Sequence, residues 1–320
     1  MKKVLWIATG GTIASVPGEN GYHPDRNLEG LFRMIDRARL PQIDVETPFC
    51  CDSSDIQPEH WVTLAKTVEQ NNSRYDGFVI THGTDTMAYT AAALSFMLKG
   101  IQKPVILTGS QKTADQPQSD APQNLQDAFS AACHPEARGV RVVFAGRILD
   151  GACVRKTDSL LLDAFHSVNC PQIGFFRDGV PVIEHPAPVR KPDFRIGVDP
   201  AVALFRLTPG FLPELLLGVL NLPVRAVVLE CFGLGGFPTA RNSLLPSLKK
   251  LRDAGIFTVA VTQCPSGPTD LSVDEVGKKA EECGVTGAGN MTTEAVVAKL
   301  MCLLFQERDG KIVKRRFFEE

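Results

Sequence analysis

Three short apolar runs in this 320-residue chain each break into glycine set beside hydroxyl side chains. Run 4–8 leads into Thr9-Gly10-Gly11-Thr12-Ile13-Ala14-Ser15. Run 77–80 leads into Thr81-His82-Gly83-Thr84-Asp85-Thr86, and run 105–107 into Thr108-Gly109-Ser110-Gln111. Ligands of open α/β sheets bind outside the carboxyl ends of the strands, so these are the positions where chemistry is expected. Glycine lets backbone come close to a ligand, and a hydroxyl can attack, donate or accept. Any one Thr-Gly turn reads as an ordinary strand end. Two together, one with an acid beside it at the head of a helix, point to a site. The glycines do not form a nucleotide loop, because neither G-x-G-x-x-G nor G-x-x-x-x-G-K-[ST] is present.

The elements that must hold these residues alternate in type, which predicts a parallel sheet covered by helices. In the first half the strands are 4–8, 77–80, 105–107 and 142–144. Between them lie helix 59–71 with Pro58 in its first turn, helix 87–98 capped by Asp85 or Thr86 and stopped by Gly100, and helix 122–133. Prolines 171, 181, 186, 188, 192 and 200 make 179–200 an irregular edge segment and linker. Strands 202–207, 227–230 and 257–261 then alternate with helices 213–220, 243–254, 274–283 and a last, strongly apolar helix 292–305. The expected architecture is a larger N-terminal α/β parallel-sheet domain, 1–185, a linker, 186–204, and a smaller C-terminal α/β domain, 205–320.

Composition narrows the function classes. Lys and Arg number 34 and Asp and Glu 36, so the net charge of −2 disfavours a general binder of nucleic acid or anionic membrane. No apolar run reaches the roughly 18 residues of a membrane span; the best, 87–98, is interrupted by Tyr89, Thr90 and Ser95. The first residues lack the longer apolar stretch and cleavage site of a secretory signal, so a cytoplasmic protein is expected. Nine scattered cysteines, odd in number and never spaced C-x-x-C, indicate neither a disulfide frame nor a zinc site. They read as mostly reduced, buried apolar residues.

Thr9-Gly10-Gly11-Thr12-Ile13-Ala14 resembles the first signature of the bacterial-type L-asparaginases, and Gly77 through Thr90, with Thr81-His82-Gly83-Thr84-Asp85-Thr86 at its centre, resembles the second. Asp52-Ser53-Ser54-Asp55, followed by Pro58 and Trp61, is similar to the substrate-backbone segment of the cytoplasmic, type I branch. Thr108-Gly109-Ser110-Gln111, Arg155-Lys156-Thr157, Thr262-Gln263-Cys264 and Met291-Thr292-Thr293-Glu294-Ala295 match further blocks in the family's order, across nearly the whole chain.

The resemblance implies an asparaginase/glutaminase-like fold and hydrolysis of L-asparagine to L-aspartate and ammonia, with no cofactor and no metal. The residue chemistry agrees. An amide carbon is a poor electrophile and a threonine hydroxyl a poor nucleophile, so a site must activate one and stabilise the oxyanion formed at the other. Carried over by position, Thr12 is the nucleophile, with Tyr22 beside it, and Thr84, Asp85 and Lys156 form a proton-handling cluster. Asp85 meets the substrate's α-ammonium, Ser53 and Ser54 its α-carboxylate, and Asp52 orients their loop. Backbone N–H groups near Gly11 and Thr84 are candidates for the oxyanion hole. The family's oligomers imply a homodimer or homotetramer, with no nucleic-acid or membrane partner.

Two positions depart from the family's pattern. Gly236 stands where many relatives carry an Asn that reaches the neighbouring subunit's site, and Asp274 where a Tyr is common. Cys264 aligns with a second, activating asparagine site of some relatives, against which stands its reading as a strand-end core cysteine. Two rivals share the scaffold. A tRNA-dependent amidotransferase subunit usually has an extra domain before its first Thr motif, whereas Thr12 here follows only eleven residues. A non-catalytic amino-acid-binding regulator need not keep all four catalytic residue types.

Overall fold

A computed structural model describes residues 1–19, 21–36, 38 and 40–319. The chain forms two compact units, 1–167 with 171–196, and 168–170 with 197–320. Segment 186–204 is thus divided between them.

In the first unit the strands, in chain order, are β1 (Lys3–Ala8), β2 (Ser15–Gly18), β3 (Gly21–Pro24), β4 (Gln42–Glu46), β5 (Gly77–Thr81), β6 (Pro104–Thr108), β7 (Gly139–Phe144), β8 (Arg147–Asp150), β9 (Val154–Lys156), β10 (Phe165–Ser167), β11 (Gly174–Arg177) and β12 (Val180–Ile183). Its helices are α1 (Glu29–Met34), α2 (Pro58–Asn71), α3 (Met87–Met97) and α4 (Ala121–Ala132). Eight strands make the main sheet in the order β12-β11-β8-β7-β6-β5-β1-β4. The five from β4 to β7 run parallel, and β8, β11 and β12 extend the sheet antiparallel.

The central strands are the continuous apolar runs of the sequence, with β5 and β6 wholly buried because helices cover both faces of such a sheet. The apolar pattern does not reveal β4 at one edge, where Gln42–Glu46 reads QIDVE, nor β8 between β7 and β11, where Arg147–Asp150 reads RILD. Pro181 sits in β12, which among the described residues is the edge strand beside β11 and so tolerates a residue with no N–H. Trp6 anchors one face, with Phe32 and Phe129 edge-on at 4.9 and 5.6 Å. Pro58 occupies the first turn of α2 as expected. The expected capping of α3 fails. Thr86 takes the cap position, but its hydroxyl donates to the Ser53 carbonyl at 2.7 Å, and Asp85 is engaged elsewhere.

The second unit is built from β13 (Val202–Arg206), α5 (Glu214–Leu217), β14 (Ala226–Cys231), α6 (Leu245–Asp253), β15 (Phe257–Thr262), α7 (Glu275–Glu282), β16 (Val285–Gly287), α8 (Thr293–Gln306) and α9 (Gly310–Glu319). Its sheet is parallel in the order β13-β14-β15-β16. Two expectations are corrected. Helix 213–220 is a single α turn that continues as a 3-10 turn over Gly218–Asn221. Nor is 292–305 the last helix: α9 follows and buries Val313 and Phe317, four residues apart on one face. Its mixture of charge and aromatics conceals that face in a linear reading. The cysteines are not mostly buried as expected: only Cys231, Cys283 and Cys302 are buried, Cys50, Cys51, Cys133, Cys153 and Cys170 are half-buried, and Cys264 is exposed, which corrects its reading as a core residue.

Candidate functional site

The turns after β1 and β5 meet because their strands are neighbours in register, Ala8 opposite Thr81. Gly11 has φ +77°, and a Cβ built on it would lie 2.3 Å from the backbone nitrogen of Gly83. A Cβ on Gly83 would in turn lie 2.6 Å from Ser53 Cβ and Oγ. Only glycine permits three segments to approach this closely. The third segment is delivered by an extension of strand pairing: Gly11 N donates to Cys51 O at 3.2 Å and Cys51 N to Thr9 O at 3.1 Å. The Thr12, Ser53 and Thr84 turns are therefore packed against one another.

Asp52 caps the 3-10 turn Ser53–Asp55, accepting from Ser54 N at 2.8 Å and from the Ser54 hydroxyl. These bonds, the side-chain one first, hold its carboxyl below the usual range. Ser53 is buried, and its Oγ accepts from Asp85 N at 3.3 Å. Ser54 is exposed. The two serines thus differ: the Ser53 hydroxyl reaches the Thr84–Asp85 turn, while that of Ser54 is occupied by Asp52.

Lys156 ends β9, which pairs antiparallel with β10, Lys156 opposite Phe165. Its Nζ donates to Asp85 Oδ1 at 2.7 Å and to Thr84 Oγ1 at 2.8 Å. The ammonium is mostly enclosed, with the Lys156 side chain 18% exposed, whereas Asp85 at 64% opens to solvent. One hydroxyl is thereby held between an ammonium and the segment that carries the carboxylate. The third strand-end motif also arrives here, since Thr84 Oγ1 lies 3.1 Å from Gln111 Oε1.

His82 fastens the same turn from beneath. Its ring is fully buried, and loss of hydration pushes its pKa down to about 4, so it is neutral. Nδ1 lies 2.7 Å from Gly83 O and Nε2 3.0 Å from Thr90 Oγ1. A carbonyl can only accept, so Nδ1 carries the proton and Nε2 accepts from Thr90. The sequence alone assigns a role to neither His82 nor Gln111. Their only signal is membership of the strand-end motifs.

Of the remaining predicted residues, Thr12 opens a 3-10 turn, Thr12–Ala14, and is half-buried. Tyr22 lies on the β2–β3 hairpin, opposite Pro17, half exposed, with its hydroxyl 3.5 Å from an Asp115 carboxylate oxygen. Ser53, Thr84, Asp85 and Lys156 are brought into one cluster, with the Thr12 turn against it through Gly11. The Tyr22 hydroxyl is directed to Asp115. Among the described residues no group of three His, Cys, Asp or Glu side chains could hold a metal ion.

Residues 3–188 match the family model described as asparaginase, N-terminal, and residues 201–317 match the glutaminase/asparaginase C-terminal domain. This chain belongs to the asparaginase family. As a member it is an amidohydrolase. It is 39% identical to an L-asparaginase of Thermococcus kodakarensis over 98% of this chain and 96% of that one. A solved structure of the thermostable L-asparaginase from the same organism superposes with a TM-score of 0.89, at 38% identity, covering 98% and 96% of the two chains. The chain is also 35% identical to a glutamyl-tRNA(Gln) amidotransferase chain of Pyrococcus furiosus, over 97% of this chain and 73% of that protein.

The two departures lie in the second unit of this asparaginase-family chain. Gly236 closes a tight loop, its N donating to Phe232 O at 2.7 Å. A Cβ there would meet only that carbonyl, at 3.5 Å. Asp274 has a local duty: it caps α7, accepting from Gly277 N at 2.7 Å.

Proposed function

We propose that this chain hydrolyses the side-chain amide of L-asparagine to L-aspartate and ammonia. The observation that carries the reading is the contact of Lys156 Nζ with both Thr84 Oγ1 and Asp85 Oδ1, against the turn that begins at Thr12. In this reading the Thr12 hydroxyl attacks the carboxamide carbon, with Tyr22, on the hairpin that follows its turn, as its aromatic neighbour. The carbonyl π electrons pass to oxygen, and backbone N–H groups near Gly11 and Thr84 stabilise that oxyanion. The intermediate collapses to an ester of Thr12 as the amine leaves, protonated, as ammonia. A water then attacks the ester and releases aspartate. Thr84, Lys156 and Asp85 handle the protons of these steps, a role worth roughly 10²- to 10⁴-fold in rate. The exposed Asp85 carboxylate takes the substrate's α-ammonium, and the Ser53–Ser54 turn, ordered by Asp52, takes its α-carboxylate.

The same reading makes the protein a cytoplasmic homodimer or homotetramer, which sedimentation of the active sample checks. The deciding experiment is ammonia release from asparagine and glutamine by wild type and Thr12→Ala. Release from asparagine that Thr12→Ala abolishes supports the proposal. Preference for glutamine would instead favour an ammonia-supplying amidohydrolase, the direction in which the likeness to the amidotransferase chain points. Binding of either amino acid without release would favour a regulator.

A further inference from the structure

Gln111 closes the third strand-end motif, and its side chain spans two groups of different chemistry. Its amide lies 3.2 Å from the backbone carbonyl of Leu161 on one side and 3.1 Å from Thr84 Oγ1 on the other. The Leu161 carbonyl can only accept, so the amide NH2 must face it, and Oε1 is left for Thr84. An amide oxygen can only accept in turn, so the Thr84 hydroxyl must donate to it. The ammonium of Lys156 can only donate, and it points at the same Thr84 oxygen from 2.8 Å. The chain of directions is therefore unique: Lys156 gives a proton to Thr84, Thr84 gives its own to Gln111, and Gln111 gives one to Leu161. The Gln111 backbone is pinned independently, its N–H donating to the Asp120 carboxylate at 2.9 Å, while Asn124 Nδ2 holds the same carboxylate at 3.0 Å.

We infer that Gln111 is a positioning residue for the reaction proposed above, setting the rotor of the Thr84 hydroxyl so that its proton points away from Lys156 and an oxygen lone pair stays aimed at the ammonium. Hydroxyls rotate to suit their partners. Without this acceptor the Thr84 proton is free to turn to other acceptors, and the proton-handling chain loses its fixed direction. The role runs through Thr84 alone and is separate from the anchoring of Leu161, because the two use different ends of the amide.

That separation supplies the test, which rests on the asparaginase reading. Gln111→Met keeps the length and removes both contacts. Gln111→Glu keeps an oxygen for Thr84 but has no N–H for Leu161. Steady-state kinetics on asparagine should show kcat down about tenfold or more in Gln111→Met with KM nearly unchanged, tenfold corresponding to about 1.4 kcal/mol of transition-state stabilisation. In Gln111→Glu kcat should stay within about threefold of wild type. Thermal unfolding of both variants shows whether either has lost its fold. Equal losses in both would make the Leu161 anchor the important contact and overturn the role, as would a folded Gln111→Met with wild-type kcat. If Gln111→Met does not fold, Gln111→Glu decides alone: kcat near wild type supports the acceptor, and a tenfold loss overturns it. A wild type that releases no ammonia from either amino acid overturns the asparaginase reading and this role with it, an outcome that the variant comparison cannot mimic.

Discussion

Replacing Gly11 by alanine should separate the two hydroxyl-bearing turns while leaving every proposed catalytic group in place. The added Cβ would lie 2.3 Å from Gly83 N, and ordinary van der Waals contact begins at 3.4 Å, so the turns must part by 3.4 − 2.3 = 1.1 Å. The colliding atoms are backbone, which cannot swing aside as the end of a side chain can. A misplacement of about 1 Å costs an active site about 100-fold, and that is the loss expected in kcat/KM on asparagine. The substitution also carries a backbone penalty of about 1–3 kcal/mol, because φ +77° with ψ 178° is a conformation essentially reserved for glycine. Gly146→Ala is the control for a Cβ at positive φ without the collision, because Gly146 has φ +75° and no atom within 4 Å of its would-be Cβ. Ammonia release and thermal unfolding are measured on both variants. Both should lose stability, and only Gly11→Ala should lose activity. A folded Gly11→Ala with the kcat/KM of Gly146→Ala would show that contact between these turns does not set the reacting geometry.

Two further outcomes follow from groups away from the reacting centre. Asp127 is buried on α4 with Gln123 Nε2 donating to it at 2.8 Å, and burial pushes its pKa up to about 6. The folded state then keeps a proton that the unfolded chain releases near 3.8, so stability falls as pH rises between those values. Asp127→Asn should add about 2 kcal/mol above pH ~7 after allowance for screening, and nothing below pH ~4. His82 slopes the other way: unfolded chains take up its proton below 6.5, and the folded protein only near 4, so stability falls as pH drops through that window. With the Asp127 slope removed, urea unfolding of Asp127→Asn should show the His82 slope more steeply than wild type; parallel pH profiles would contradict the Asp127 assignment, and a flat profile of the variant between pH 4 and 6.5 the His82 one. Gly236→Asn adds a Cβ that meets the Phe232 carbonyl at an ordinary contact distance of 3.5 Å. It should leave the unfolding temperature unchanged and, in the proposed oligomer, lower KM for asparagine by several-fold, an effect the size of one net hydrogen bond. An unchanged KM would mean that another group occupies that place.

Much of the frame was legible along the chain because its cause is local. The fully buried strands β5 and β6, and β1 from Val4 to Ala8, are apolar runs, and Pro58 marks the start of α2. The strands β4, β8 and β11 were hidden, since each is short and carries charge among its apolar residues. The amphipathic α9 was hidden by its basic face. At the site, the residue types and the three strand ends were visible. The distances and hydrogen-bond directions among them were not.

By itself the sequence determined that glycine and hydroxyls would cluster at the ends of neighbouring strands, because apolar periodicity places strands and the ends follow from it. The resemblance already grouped Lys156, 71 residues beyond Asp85, with Thr84 and Asp85, and the structure supplied the contacts themselves; only the tertiary structure decided that Ser53 rather than Ser54 would turn inward, and that the Thr84 hydroxyl would donate to Gln111. The physical reason is that a hydrogen bond acts over about 3 Å in space and is indifferent to separation along the chain.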